Sequence, residues 1–227
     1  MKNKVFLIIV ASLLGAAAVF GLIFRFSYTN ITAEENYLDK LQVGEIPEGI
    51  CLVDCELLHQ SLPEAPLILR VTPVAELEEH FGRSIQKAVV RQTFVSEDVS
   101  VGDEIYITAN GWRAIIRKDG WSTERNFVNV MREGSDYLVF LRDYDKIRWD
   151  GCTVYYLDAN RVIAPVFCYD DIPNIVIPKS GSDTYVPYSE VRDNEFFAAS
   201  QAGLDAWLSL KQEMLAAYPR QSASPER

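Results

Sequence analysis

The first regularity along the chain is an uninterrupted apolar run. Residues 5–24 read VFLIIVASLLGAAAVFGLIF, twenty positions without a charge. As a helix rising about 1.5 Å per residue, the run is roughly 30 Å long, the thickness of a bilayer's hydrocarbon core. Met1, Lys2 and Lys4 make a basic start, and Ala16-Ala17-Ala18 offers the small residues at which a signal peptidase cuts. The apolar core of a signal peptide, however, spans roughly 7–15 residues, and here it continues through Val19, Phe20, Leu22, Ile23 and Phe24. The run is therefore expected to stay as a single-pass anchor in contact with membrane lipid over residues 5–24. Lys2 and Lys4 against Arg25 alone place the N-terminus in the cytoplasm and the C-terminal domain outside the cell membrane.

Beyond the anchor the period changes. Thr32-Ala33-Glu34-Glu35 has the form of a capping box, which predicts a short helix over 33–42, a stalk or lid ended by Gly44. In residues 50–60, ICLVDCELLHQ, Cys51, Val53, Cys55 and Leu57 alternate with Asp54 and Glu56, the pattern of a half-buried strand. Residues 67–71 form a second apolar run, and Thr72-Pro73 followed by Gly82 predicts a helix over 73–81. From residue 85 the spacing is that of short strands. They fall at 88–95, 104–109, 112–117, 127–131, 137–141, 152–157 and 161–169, with turn signals at Asn110-Gly111, Asp119-Gly120, Gly134-Ser135 and Asp150-Gly151. Tyr137-Leu138-Val139-Phe140-Leu141 is apolar throughout, as a central strand buried on both faces would be. Pro173, Pro178 and Pro187 exclude a central strand from 170–190. Phe197, Leu204, Trp207, Leu208, Leu215 and Tyr218 then form one stripe of a helix over 193–218, ended by Pro219.

These elements predict a mainly β fold: an antiparallel OB-like barrel or sandwich with a C-terminal amphipathic helix and one N-terminal transmembrane helix. The expected divisions are the anchor at 1–25, a juxtamembrane stalk at 26–48, the β-domain at 49–190, the helix packed on it at 191–218, and a polar tail at 219–227.

Charge narrows the function classes. The chain has 22 basic and 32 acidic residues, a net charge of −10. Residues 1–25 carry Lys2, Lys4 and Arg25 and no acid, so the remainder holds 19 basic against 32 acidic residues, or −13. Such a surface repels nucleic acid, which is excluded as a partner; it can attract cations or basic peptides, but the usual meaning of such acidity is solubility.

Two stretches carry a family resemblance. Val101-Gly102-Asp103-Glu104-Ile105 opens one strand, and Gly134-Ser135-Asp136-Tyr137-Leu138-Val139-Phe140-Leu141 forms another. With the strands at 50–60, 85–95 and 152–169 they resemble the five-stranded OB-type barrel of the tissue-inhibitor-of-metalloprotease and netrin-module group. The resemblance implies a binding-type barrel. The protease inhibitors of that group reach their target's zinc through an N-terminal cysteine. This chain starts with an apolar anchor, so that activity is not expected to carry over.

Candidate chemistry is sparse. On a helix, Cys51, Cys55 and His59 would share one face and could hold zinc with Cys152 or Cys168; on a strand, Cys51 and Cys55 stand about 13 Å apart. The alternation favours the strand, so no metal or cofactor is expected. With a three-residue loop at Ala159, Asn160 and Arg161, Leu157 pairs with Ile163 and Cys152 falls opposite Cys168. Opposed residues of an antiparallel pair lie about 4.5–5.5 Å apart, within disulfide range, and an outward-facing domain would keep the bond. Trp112 and Trp121 flank a predicted hairpin and form a candidate aromatic binding surface. Asp143, Asp145, Asp170 and Asp171 lack the spacing of a calcium loop, and His80 reads as a surface helix residue beside Glu78 and Glu79. A sortase-like site would need a threonine-rich strand before its cysteine, whereas Val166-Phe167-Cys168-Tyr169 has none and the next arginine is Arg192. Neither HExxH, GxSxG, a P-loop nor GxGxxG occurs. The reading is a membrane-anchored extracytoplasmic binding or scaffolding domain with a protein partner at the cell surface. The rival class is a cell-surface hydrolase or transpeptidase.

Overall fold

The computed structural model describes residues 2–27, 36–80, 82–117, 120–142, 147–158, 162–176 and 185–221. The chain divides into two compact units, residues 1–37 and 38–227. The first is built on one helix, α1 (Lys2–Ser27). Its stretch Lys4–Phe24, with mean hydropathy 2.7, is long and apolar enough to cross a membrane.

The second unit mixes helix and strand. Its elements are β1 (Leu41–Gly44), α2 (Glu48–Ser61), β2 (Leu67–His80), β3 (Arg83–Val95), β4 (Glu104–Thr108), β5 (Arg113–Arg117), β6 (Gly120–Glu124), β7 (Tyr137–Arg142), β8 (Arg148–Trp149), β9 (Cys152–Leu157), β10 (Val166–Cys168), β11 (Tyr185–Pro187), α3 (Tyr188–Val191) and α4 (Gln201–Ala217). The larger sheet runs β10-β7-β2-β3-β4-β9-β8, and β7 also pairs with β9 through Leu141↔Leu157 and Arg142↔Tyr156. The smaller sheet runs β11-β1-β6-β5. Within the larger sheet β4 and β9 are parallel and the other pairs antiparallel. The fold is thus mixed α/β rather than mainly β.

Strand β7 is the apolar run expected of a central strand. Tyr137, Leu138, Val139, Phe140 and Leu141 are all buried, and β7 takes partners from β2, β10 and β9. The main core lies on the inner face of this sheet and is covered by α2 and α4. Ser200 caps α4 by accepting the Gly203 amide, 3.1 Å away. Gly203 lets α4 approach α2: a Cβ added there would stand 3.4 Å from that of Cys51 and 3.3 Å from Ser200 Oγ. Trp207 fills the space beneath, fully buried and stacked on Phe196 with ring centroids 4.6 Å apart.

Several sequence expectations are corrected. Residues 50–60 are helix α2, not a strand. Cys51, Asp54, Cys55, Leu58 and Leu62 are buried at the 3–4-residue spacing of a helix face, and a 14-residue element favours a helix over a strand. The helix expected over 73–81 is the second half of β2. Pro73 is accommodated by a register shift between Pro73 and Leu77, where a bulge removes the need for its missing amide. The stalk expected at 26–48 contains β1, which pairs with β6 and β11 and so belongs to the folded domain. Of the helix over 33–42, residues 33–35 lie outside the described residues, and Tyr37–Lys40 is a 3₁₀ turn. Asn110-Gly111 does not close a hairpin: it carries the chain from β4 in one sheet to β5 in the other. Residues 193–199 precede α4 rather than opening it.

Candidate ligand-binding face

Strand parity builds the site. In the hairpin of β2 and β3 the register pairs His80↔Arg83, Glu79↔Ser84, Glu78↔Ile85 and Leu77↔Gln86. Alternation then puts Glu78 and His80 on one face with Arg83, Ile85 and Lys87, and Leu77, Glu79, Ser84 and Gln86 on the other. Across β4 and β9 the outer face continues with Glu104, Tyr106, Cys152, Val154 and Tyr156, through Lys87↔Tyr106 and Tyr106↔Val154. The hairpin of β8 and β9 adds Trp149 opposite Cys152. Its turn residues Asp150 and Gly151 both have positive φ, 45° and 76°, the backbone of a type I′ turn and the reason Asp-Gly stands there.

The opposite face holds these strands in register. Gln86 Nε2 donates to Met131 O at 2.7 Å while its Oε1 accepts the Met131 amide at 3.3 Å. Ser84 Oγ donates to Glu79 Oε1 at 2.6 Å, and burial pushes the Glu79 carboxyl above its ordinary range. Both strands are therefore pinned from behind, which fixes where the outer side chains stand.

On the outer face Ile85, Tyr106 and Val154 form a small apolar cluster flanked by Trp149 and Cys152. Around it lie Glu78, His80 and Asp150, and with Tyr106 and Trp149 these line an open pocket of about 390 Å³. His80 Nε2 and Glu78 Oε2 are 2.7 Å apart, and the Tyr106 hydroxyl donates to Glu78 Oε1 at 3.5 Å. The His80 ring tilts at 44° against Trp149 with centroids 4.2 Å apart. Burial raises the Tyr106 hydroxyl pKa, and the Glu78 and Asp150 charges raise it further against Lys87. The basic side chains nearby have partners: Lys87 Nζ is 2.8 Å from Glu104 Oε2, and Arg83 donates to the Tyr156 hydroxyl with its guanidinium 5.1 Å from that ring.

The residues singled out from sequence are scattered. Trp112 is 1% exposed and packed beneath the Arg125 guanidinium, which sits 3.4 Å from its ring centroid, so it is core and not a binding surface. Trp121 lies half-buried on β6, in the other sheet. The disulfide between Cys152 and Cys168 is not formed, and both are free thiols. Their strands do not pair with each other: β10 pairs with β7, and β9 with β4, β7 and β8. Pro165 O accepts the Phe140 amide and Asp158 N donates to Phe140 O, so the chain leaving β9 rejoins the same edge of β7 as β10 instead of folding back on itself. Helix α2 does bring Cys51 and Cys55 together, and Cys51 Sγ donates to Gly203 O at 3.2 Å. Their shared hydrogen bond lowers the Cys51 pKa and raises that of Cys55. His59, one turn on, lies 3.0 Å from Glu213. Among the described residues no group of three or more His, Cys, Asp or Glu is placed to hold a metal ion. Asp170 is held by Arg220 at 2.9 Å, while Asp143 and Asp145 lie outside the described residues.

Sequence reasoning missed Glu78, His80, Tyr106 and Trp149 as one group. Half of it, Glu78 and His80, lies in a stretch that the Thr-Pro start at 72–73 made read as a helix. No family model matches the chain, and no curated protein matches it.

Proposed function

We propose that the chain is a membrane-anchored binding or scaffolding module, with its domain outside the cell membrane and its ligand on the outer face of β3 and β4. The observation that carries this reading is the pocket of Glu78, His80, Tyr106, Trp149 and Asp150, where aromatic faces and hydrogen-bonding groups converge on pinned strands. The strand order supports an OB-type barrel beneath it. Pairing runs from β2 to β3, β3 to β4, β4 to β9, β9 to β7 and β7 back to β2, a five-strand circuit. In such barrels ligands use the face of the second and third strands and the loops flanking it. Here those strands are β3 and β4, and the β2–β3 turn and the β8–β9 hairpin stand at the pocket's rim. Lys2 and Lys4 at the start of α1 favour the outward orientation of the domain.

The rival reading, a hydrolase or transpeptidase, would use His80 and Glu78 as its acid–base pair. A nucleophile must lie within hydrogen-bond reach of the base, and among the described residues no serine, threonine or cysteine is hydrogen-bonded to His80. We therefore keep the binding reading.

Site-specific photo-crosslinking in intact membranes tests it. A photoreactive side chain at exposed Arg148, the neighbour of Trp149 in β8, should capture a partner that one at exposed Gln201 does not. Trp149→Ala should abolish the capture. Equal labelling from both positions would count against the outer face as the ligand site.

A further inference from the structure

We propose that the outer-face pocket takes a cationic side chain, the guanidinium or ammonium of a basic polypeptide segment, laid on Trp149 and neutralised by Glu78 and Asp150. This rests on the reading of that pocket as the ligand site and names the chemistry of what it binds.

The lining carries two carboxylates, two aromatic rings and one histidine, and neither lysine nor arginine. The nearest fixed cations are turned to other partners: Lys87 to Glu104, Arg83 to Tyr156, and Arg148 to the carbonyl of Gly151. Carboxylates at the rim of an aromatic floor are what a desolvating cation needs. The ring face attracts it through its quadrupole, tryptophan most strongly, and the acid supplies the counter-charge. Trp149 is half-buried, with His80 leaning on it. The negative potential in the pocket is also felt by the Tyr106 hydroxyl, whose proton Glu78 and Asp150 both help to retain.

Two further observations favour a basic segment over other ligands. The chain beyond the anchor carries −13, which steers cations toward it and repels phosphates and nucleic acid. The pocket, about 390 Å³, lies at the small end of ligand sites and suits one side chain rather than a run of sugar rings.

The test uses the full chain in nanodiscs of zwitterionic lipid, labelled with 5-fluorotryptophan. The Trp149 resonance is assigned by its absence from Trp149→Phe. The probes are acetyl-Gly-Arg-Gly-amide, its citrulline counterpart, which is nearly isosteric but uncharged, and chitotriose. The arginine peptide should shift the Trp149 resonance saturably, with the citrulline peptide at least about tenfold weaker. Glu78→Gln and Asp150→Asn should each weaken binding about 3–10-fold, and asparagine tolerates the left-handed backbone at 150, so the turn survives. Raising salt from about 50 to 500 mM should weaken binding further. Equal response to arginine and citrulline, or a response to chitotriose alone, overturns the cation assignment while leaving the pocket as a ligand site. If no probe moves Trp149 but photo-crosslinking from position 148 captures a partner, the cation assignment alone falls. If both experiments are blank, the two readings fall together.

Discussion

Lys211 Nζ lies 2.5 Å from Glu195 Oε2 where both side chains are almost wholly buried, and the other oxygen of Glu195 accepts the Cys168 amide at 2.6 Å. One ion pair thus ties α4 to the edge strand β10. Removing one partner of such a pair strands the other charge in the core. Lys211→Met should therefore cost about 3–5 kcal/mol. The deficit should depend on pH. Burial raises the Glu195 carboxyl pKa, and Lys211 holds it down. A carboxyl whose folded pKa exceeds its unfolded value contributes stability that is present below the unfolded value, about 4.3, and is lost as pH rises through the folded one. Without Lys211 the folded value climbs and the loss grows. Urea unfolding should show the gap between wild type and variant widening from about pH 4 to pH 7. A gap independent of pH would mean that Glu195 is not ionised in the native protein.

Trp207→Ala should cost about 3–5 kcal/mol, because a fully buried ring stacked on Phe196 and 5.9 Å from Phe167 leaves a cavity that rigid neighbours cannot close. Trp207→Phe, which keeps a ring to stack, should cost less. A change below about 1 kcal/mol for the alanine variant, measured by thermal or urea unfolding, would place α4 off the core.

These two residues show what was legible in the sequence. The stripe through Leu204 and Trp207 predicted α4 and its buried side, because a helix at the surface of a core repeats its apolar positions. The all-apolar run of β7 predicted a central strand for a similar reason. Residues 50–60 carried two periods at once: Cys51, Val53 and Cys55 read as alternation, Cys51, Cys55 and Leu58 as a helix face. Packing against α4 at Gly203 decided for the helix, and no local pattern contains that contact. The candidate site was illegible for a related reason. It gathers residues from β2, β4 and the β8–β9 hairpin, and only the sheet order brings them together. Pro73 hid the strand that carries two of them, since proline in a strand is tolerated only where a bulge frees its position.

Gly151 should govern the pocket from its rim. Its φ of 76° is strained for any residue with a Cβ, although no neighbouring atom lies within 4 Å of where that Cβ would stand. Gly151→Ala should therefore cost about 1–2 kcal/mol from backbone strain alone. Because the turn sets Trp149 opposite Cys152, the same change should also shift the Trp149 resonance in the fluorotryptophan spectrum. An unmoved resonance would show that the sheet, not the turn, places the indole.

The anchor makes a separate prediction. With a segment of mean hydropathy 2.7 retained at its N-terminus, the protein should stay in the membrane after alkaline carbonate washing. External protease added to intact cells should degrade the chain beyond about residue 30, as the proposed outward orientation implies. A mature soluble form starting at Val19 would instead make residues 1–18 a cleaved signal.

The cysteines provide the sharpest chemical check of the strand order. Cys152 lies half-buried on the outer face, whereas Cys51, Cys55 and Cys168 are buried. Burial pushes the Cys168 thiol up to about 11, well away from the thiolate needed for alkylation at neutral pH. In native protein a maleimide should therefore modify Cys152 first, and the other three only as the domain unfolds. The order matters because the sequence alone allows Cys152 and Cys168 to face each other in a hairpin. In the fold, β9 and β10 follow one another along a single edge of β7, opposite β2: Leu157 pairs with Leu141, and Cys168 pairs with Tyr137 at the far end of the strand. Joining them would require β9 and β10 to leave β7 and fold onto each other, breaking the pairings along that edge of the central strand. Peptide mapping of protein alkylated before digestion, without reductant, should find both thiols free even when the protein comes from an oxidising compartment. A Cys152–Cys168 crosslink in that map would refute the placement of β9 and β10 along β7, and with it the sheet that carries the proposed pocket.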